Sequence, residues 1–442
     1  MMWSGIAAAA LFSGTESEVI KNMSTSVTGD RIDGLVEQAV FGDESAREEN
    51  RWQIRELAES QGIYPASIQG LYEAAGKSAY HNKTVPAINI RGMTYPVARA
   101  VFRAALKHKV GAFIFEIARS EIGYTKQRPA EYAACVLAAA LKEGFQGPVF
   151  IQGDHFQMNR KRYSTDAAQE TEAIKALIQE AVSAGFFNID IDASTLVDLE
   201  KKTLEQQQEE NCQVTAEMTR FIRGIEPEGV TISVGGEIGE VGKQNSTVED
   251  LRVFMGGYLA SLGADVKGIS KISVQTGTTH GGVVLPDGSI ASVELDFDTL
   301  KELSNVAREE YGMGGAVQHG ASTLPDEAFH LFPEVGAAEV HLATGFQNII
   351  YDSPSFPQQL TQKINQHLLE QYSDERKSDD TEEQFLYKTR KKAFGDFKRE
   401  IWSIPPDNLR AIGETLEERF IQLFQKLNVV NTVELVNKYV VK

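Results

Sequence analysis

Cysteine is almost missing from this chain. Cys135 and Cys212 are the only two in 442 residues. That is too few for a disulfide framework or a cysteine metal cluster, and it fits a reducing compartment. Long hydrophobic runs are missing too, since nothing approaches the roughly 20 apolar residues that span a bilayer. The opening Met1–Gly14 is apolar but has no basic segment before it, so a secretory signal is not favoured and a cytoplasmic location is expected. Basic residues are in deficit, 44 against 62 acidic, for a net charge of −18. Such a surface repels nucleic acid and anionic membranes, which removes both from the expected partners. An anionic substrate would need local relief from a metal or from helix N-termini.

What is present is core-forming sequence, 42% hydrophobic, arranged in a regular alternation from Thr84 onward. Apolar strand candidates are Val85–Ile90, Val110–Glu116, Pro148–Gly153, Phe187–Asp192, Val230–Gly236, Ile272–Thr276, Gly315–Gln318 and Ala338–Ala343. Helical patterns separate them at Tyr95–His108, Pro129–Glu143, Asp166–Ala184, Val197–Arg223, Thr247–Leu262, Asp298–Tyr311 and Pro325–Val335, and Gln358–Tyr372 follows the last strand. Continuous apolar strands alternating with amphipathic helices predict a parallel α/β fold. Eight such units in roughly 270 residues match a closed (β/α)8 TIM barrel, typically about 250 residues, with a doubly wound sheet as the alternative. The expected organisation is a polar helical lead-in over 1–80, the barrel over 81–372 and a helical C-terminal extension over 373–442. That extension opens on the charge run from Ser373 and is broken at Ile404-Pro405-Pro406. It reads as a subunit-contact element, so a homo-oligomer, dimer or larger, is expected.

In a barrel, chemistry gathers just past the C-terminal strand ends. Four of the eight histidines fall at such ends: His155, His280, His319 and His341. Each one alone reads as well as a hydrogen-bonded core histidine. Together, His155, His280 and His319 from separate strands suit an open zinc-type site, with Glu237 as a further ligand or as a group that orients one. Asp154 precedes a ligand histidine, so one side chain can hold metal while the other works as general acid/base; support of the ligand is its alternative role. Gly281, Gly320, Ser322 and Thr344 form a candidate phosphate cradle of bare backbone and small hydroxyls.

At these residues the sequence resembles the class II, metal-dependent fructose-bisphosphate/tagatose-bisphosphate aldolase family. The likeness runs from Val85 to about Asn348 and is carried by GDH (Gly153–His155), IDAS (Ile191–Ser194), GGEIGEVG (Gly235–Gly242) and TGTTHGGV (Thr276–Val283). LDFDTLKEL (Leu295–Leu303), HGASTLPDE (His319–Glu327) and HLATGFQ (His341–Gln347) complete it. The resemblance implies zinc, or another divalent metal, on His155, His280 and His319 with Glu237 nearby. A monovalent cation is a further candidate cofactor. It also implies Asp154 as proton shuttle, the glycine and hydroxyl cradle on the phosphate of dihydroxyacetone phosphate, and Asn89 of VPAINI near the site. The expected reaction is reversible cleavage of fructose 1,6-bisphosphate, or a close ketose bisphosphate, to dihydroxyacetone phosphate and glyceraldehyde 3-phosphate. A related lyase with another aldehyde substrate, or a non-catalytic partner subunit of a two-subunit tagatose-bisphosphate aldolase, are the alternatives.

Three departures stand out. The family's Asn on strand eight is His341 here. The paired acids of the loop after the GG-rich turn align with Gln244 and Asn245, and the nearest acids are Glu249 and Asp250. The family's serine after strand two has Ser120 as its nearest counterpart.

Overall fold

The computed structural model describes residues 29–239, 244–277, 285 and 295–440. Nine strands occur among them: β1 (Ile63–Ala66), β2 (Val85–Asn89), β3 (Ile114–Ala118), β4 (Gly147–Gln157), β5 (Asn188–Asp192), β6 (Ser233–Glu237), β7 (Lys271–Val274), β8 (Ala316–Gln318) and β9 (Glu339–Leu342). β2 to β9 pair in sequence, all parallel, and β9 pairs back onto β2, so eight strands close a barrel. The doubly wound alternative is excluded. Residues on both faces of most strands are buried, which is why the strands read as near-continuous apolar runs.

β1 is a strand within the mostly helical lead-in that was expected. Its Ile63–Ala66 lies parallel to Gly147–Phe150, the first half of β4. The second half of β4 then pairs with β5. Buried Asn188 stitches this junction, its Nδ2 donating to Ala66 O (3.2 Å) and Ile151 O (3.0 Å), while its Oδ1 accepts from Ile68 N (2.9 Å). The lead-in helix that follows is short, Gln69–Gly76, because Ala66 still belongs to this strand.

Helices Gly29–Phe41 and Glu44–Ser60 pack outside the barrel against Pro129–Glu143, as expected of the lead-in. The C-terminal extension wraps the opposite flank of that layer. Its helix Pro406–Lys426 lies along Thr94–His108, where Arg103 Nε donates to Glu417 Oε2 (2.6 Å) and Lys107 also reaches Glu417. Thr432 Oγ1 accepts from Gly111 N (3.0 Å) and Ala112 N (3.1 Å). Ahead of the Ile404-Pro405-Pro406 break the extension is a series of short helical pieces (Glu382–Thr389, Arg390–Lys392, Ala393–Asp396 and Lys398–Trp402). Gly395 marks the reason: a Cβ there would stand 2.0 Å from Tyr124 O, so the backbone is pressed onto the barrel-top helix. Among the described residues, no helix is long and apolar enough to cross a membrane.

The barrel interior below the C-terminal rim is ionic. Lys271, 1% exposed, points inward from β7 and donates to Glu339 Oε1 (2.6 Å), Gln152 Oε1 (2.7 Å) and Asp190 Oδ2 (3.0 Å). Gly235 makes this pair fit, since a Cβ there would meet Asp190 Oδ1 at 2.3 Å and Lys271 Cε at 3.0 Å. Tyr72, from the helix after β1, closes the barrel floor by donating its hydroxyl to Glu339.

Candidate active site

The site stands on this layer, at the C-terminal ends of the strands. β4 carries an irregularity between Gly153 and Phe156, where its pairing with β5 slips. Without it, Asp154 and His155 would point to opposite faces, as consecutive strand residues do. His155 sits at φ +41, a strained value for a residue with a side chain, and both groups face the same cavity. Gly153 allows the turn, because a Cβ there would strike the Phe156 ring at 2.5 Å.

Asp192, from the IDAS stretch, fixes the ring of His155. Its Oδ2 lies 2.9 Å from His155 Nδ1 and accepts from Gln157 Nε2 (2.5 Å). Its Oδ1 accepts from Ser194 N (3.0 Å) and Ser194 Oγ (2.6 Å). This carboxylate–histidine pair leaves His155 Nε2 as the nitrogen turned toward a ligand. Glu237 at the end of β6 places Oε2 3.3 Å from His155 Nδ1. His319 follows β8, with Nε2 3.0 Å from Ser273 Oγ, and its ring stacks between those of His155 (4.3 Å) and His341 (4.0 Å).

These residues fit a divalent metal. Ligand atoms of His155, Glu237 and His319 all lie within 4.8 Å of one another, two imidazoles and a carboxylate from three strands. Burial would strip the charge from His155, but Asp154, Glu237 and Asp192 raise its pKa well above the usual imidazole value. Glu237 is pushed up to about 7, by burial first and then by Asp192. A nest that concentrates this much negative charge welcomes a cation as readily as a proton. His280, the third expected ligand, and Gly281 lie outside the described residues.

His341 on β9 joins the site to the ionic layer. Its Nε2 lies 2.6 Å from Glu339 Oε1, and its Nδ1 lies 3.0 Å from Glu116 Oε2 and 3.3 Å from Asp154 Oδ1. Burial opposes its charge, yet Glu116, Glu339 and Asp154 raise its pKa well above the ordinary value. Glu116 is pushed up to about 8 by burial and by Asp154. Asp154, His319 and His341 also meet within 4.8 Å, as do Glu116, Glu339 and His341. The last trio is already served by Lys271 and Gln152, so it belongs to the barrel interior.

The remaining wall is built for an anion. Gly320 takes a left-handed φ of +70, Ser322 Oγ accepts from Ala343 N (2.7 Å), and Thr344 begins the helix Thr344–Tyr351. Gly320, Ser322, His341 and Thr344 share a cavity of about 580 Å³ with Asn89, Asp154, His155 and His319. Asn89 Nδ2 donates to Glu121 Oε2 (2.7 Å) and more weakly to Asp154 Oδ2 (3.5 Å). Ser120 lines the same cavity. Arg91 and Lys391 line it too, and the sequence reading missed both. Arg91 lies two residues past Asn89, a visible clue; Lys391 comes from the C-terminal extension, which nothing in the sequence placed at the site. Its neighbour Arg390 turns away to Asp352 and Asn348 and stacks on Tyr387.

In the loop that should carry acids, Asn245 donates to Asp296 Oδ2 (2.9 Å). Asp250 caps its own helix through Thr247 N (2.8 Å) and Oγ1 (2.7 Å), and Glu249 sits in that helix's first turn. Neither acid lines the cavity described above.

The family model of class II fructose-bisphosphate aldolases matches residues 68–400. The chain belongs to the class II fructose-bisphosphate aldolase family. Membership makes it a carbon–carbon lyase of a metal-dependent family that acts on sugar phosphates. None of the curated proteins compared with it matches its sequence. Solved structures share the fold at low identity. A fructose-bisphosphate aldolase from Campylobacter jejuni matches with TM-score 0.51 and 16% identity, covering 84% of this chain and 96% of that one. A probable tagatose 6-phosphate kinase from Sinorhizobium meliloti matches at 0.55 and 16%, over 80% and 98%. A fructuronate–tagaturonate epimerase from Cohnella laeviribosi matches at 0.54 and 13%, over 79% and 82%. At these identities the likeness is one of fold alone. The class II aldolase match extends past both ends of the sequence-expected barrel, into the lead-in and the C-terminal extension, consistent with Lys391 at the site.

Proposed function

We propose that this class II aldolase cleaves fructose 1,6-bisphosphate, or a close ketose bisphosphate, reversibly to dihydroxyacetone phosphate and glyceraldehyde 3-phosphate. One observation carries the reading: His155, Glu237 and His319 converge on one another, and His155 and His319 line with Asp154 a cavity whose far wall is Gly320, Ser322, Thr344, Arg91 and Lys391. His155, Glu237 and His319, with His280, would hold zinc or another divalent ion, which when bound supplies Lewis-acid polarisation of the substrate carbonyl. Asp154 holds and returns the proton of the hydroxyl next to the bond that breaks. Its carboxylate is 4% exposed and braced by Asn89, so it meets that hydroxyl with little competing water. Ser322 and Thr344 offer hydroxyls, and the N-terminus of helix Thr344–Tyr351 offers backbone N–H groups, to the phosphate of the dihydroxyacetone half. Lys391 supplies charge on the same wall.

His341 and the Gln244–Asn245 pair favour a second reading, a class II lyase with a different aldehyde substrate. A non-catalytic partner subunit has no need of Asp192 and Ser273 to orient His155 and His319. The test is cleavage of fructose 1,6-bisphosphate by the purified chain, before and after chelation, with zinc added back. Chelator-sensitive cleavage restored by zinc supports the first reading. Metal-bound, folded protein that cleaves other ketose phosphates instead supports the second.

A further inference from the structure

Arg91 lines the anion wall of the cavity and is held there from several sides. Its Nε donates to Glu121 Oε1 (2.7 Å), and its Nη1 donates to Gln347 Oε1 (3.1 Å) and Thr344 Oγ1 (3.3 Å). Its Nη2 has no hydrogen-bond partner among the described residues, and the side chain lines the site cavity. Glu121 is itself locked by Ala118 N (2.8 Å) and Asn89 Nδ2 (2.7 Å). The backbone after Arg91 is equally fixed, because Gly92 abuts Phe394 so closely that a Cβ would stand 2.2 Å from its ring. Tyr124 lines the same wall, with its buried hydroxyl beside the Glu121 carboxylate. Lys391 faces the Tyr124 ring at 5.7 Å, and burial together with the charge of Arg91 lowers its pKa. Two cations on one wall of a cavity call for an oxyanion.

We propose that Arg91 is a substrate-binding residue, whose guanidinium, clamped by Glu121, receives the phosphoryl oxygens of the ketose at Thr344. The identity of the oxyanion as a phosphate ester rests on the aldolase reading above. A planar fork with one edge fixed by a carboxylate presents its other edge in a single orientation, which a lysine cannot do. The same guanidinium donates through Nη1 to the Thr344 hydroxyl, so the two groups address one phosphoryl group.

The experiment is titration calorimetry of the purified holoenzyme with glycerol 3-phosphate, inorganic phosphate and glucuronate, none of which needs to be turned over. Wild type, Arg91→Met, Arg91→Lys and Glu121→Gln are compared, with circular dichroism confirming the fold of each. The wild type should bind glycerol 3-phosphate more tightly than glucuronate. Arg91→Met should weaken that binding at least tenfold, and Arg91→Lys and Glu121→Gln several-fold, because charge survives without the oriented fork. Should the chain cleave a ketose bisphosphate, Arg91→Lys should raise KM more than it lowers kcat. Glycerol 3-phosphate binding unchanged in a folded Arg91→Met protein overturns the proposal. Tighter binding of glucuronate overturns the phosphate assignment. Binding is read without catalysis, so Arg91-dependent binding in a chain that cleaves no fructose 1,6-bisphosphate would leave this site standing while the aldolase substrate falls.

Discussion

Replacing Lys271 with Met tests whether the ionic layer under the site is held by charge compensation. The ammonium is fully enclosed, within 3.0 Å of Glu339, Gln152 and Asp190. Burial alone would lower its pKa, yet Asp190 and Glu339 raise it, so it stays charged. Methionine fills a similar volume but takes the ammonium from both carboxylates, leaving Glu339 and Asp190 only the His341 imidazole between them, which costs about 3–5 kcal/mol. Against a total stability of roughly 5–15 kcal/mol this is a large fraction. The assay is urea unfolding followed by circular dichroism near pH 7.5, with the midpoint expected to fall at unchanged slope. The pH dependence follows from the same groups. In the wild type, burial would raise Glu339, but Lys271 and His341 hold it well below the usual 4.5. Its stabilising contribution is therefore present above the unfolded value and is lost as pH falls through the depressed folded one. In the variant both acids are raised, so they take up protons as pH falls and their penalty fades. The gap between variant and wild type should be widest at neutral pH and should close toward acid. A loss under about 1 kcal/mol, or a gap independent of pH, would refute compensation as the role of Lys271.

Other outcomes follow from the site. His319→Ala should lose both activity and most of the bound metal, read by elemental analysis, whereas Asp154→Ala should keep the metal and lose turnover by at least two orders of magnitude. Metal loss in the Asp154 variant would sink its assignment as proton carrier. His341→Asn should keep its metal and remain active, because Glu116, already pushed up to about 8, can take a proton where the imidazole leaves. An inactive but metal-loaded His341→Asn protein would mean that this histidine carries chemistry of its own.

The eight barrel strands and their order were legible because each is a short apolar run between amphipathic helices. β1 was not, since Ile63-Tyr64-Pro65-Ala66 is four residues long, includes a proline and gains its meaning only from pairing with β4. The expected helix over Val197–Arg223 starts instead at Leu204, capped by Thr203, after the turn at Ser194–Leu196. Helix Thr344–Tyr351 falls between the last expected strand and the helix expected from Gln358, in a stretch the pattern left unassigned. Of the site, His155, His319, Glu237 and Asp154 were recognisable by position at strand ends. That Asp154 and His155 share one face depends on the slip in β4, which no alternation pattern reveals. Glu116, Asp190, Lys271 and Glu339 sit inside strands that read as apolar, and only closure of the barrel makes them one layer. Arg91 and Lys391 come together from residues 300 apart along the chain, through the packing of the C-terminal turns on the barrel top.

The central claim is metal-dependent activation of dihydroxyacetone phosphate at the histidine cluster, and it can be measured without knowing the aldehyde. Proton NMR in deuterium oxide follows exchange of the hydroxymethyl C–H of dihydroxyacetone phosphate with solvent, using the purified chain, the chelated chain, the zinc-restored chain and His319→Ala. The account predicts exchange by the metal-loaded wild type alone, abolished by chelation and returned by zinc. Exchange that survives chelation, or that persists in His319→Ala, would contradict it.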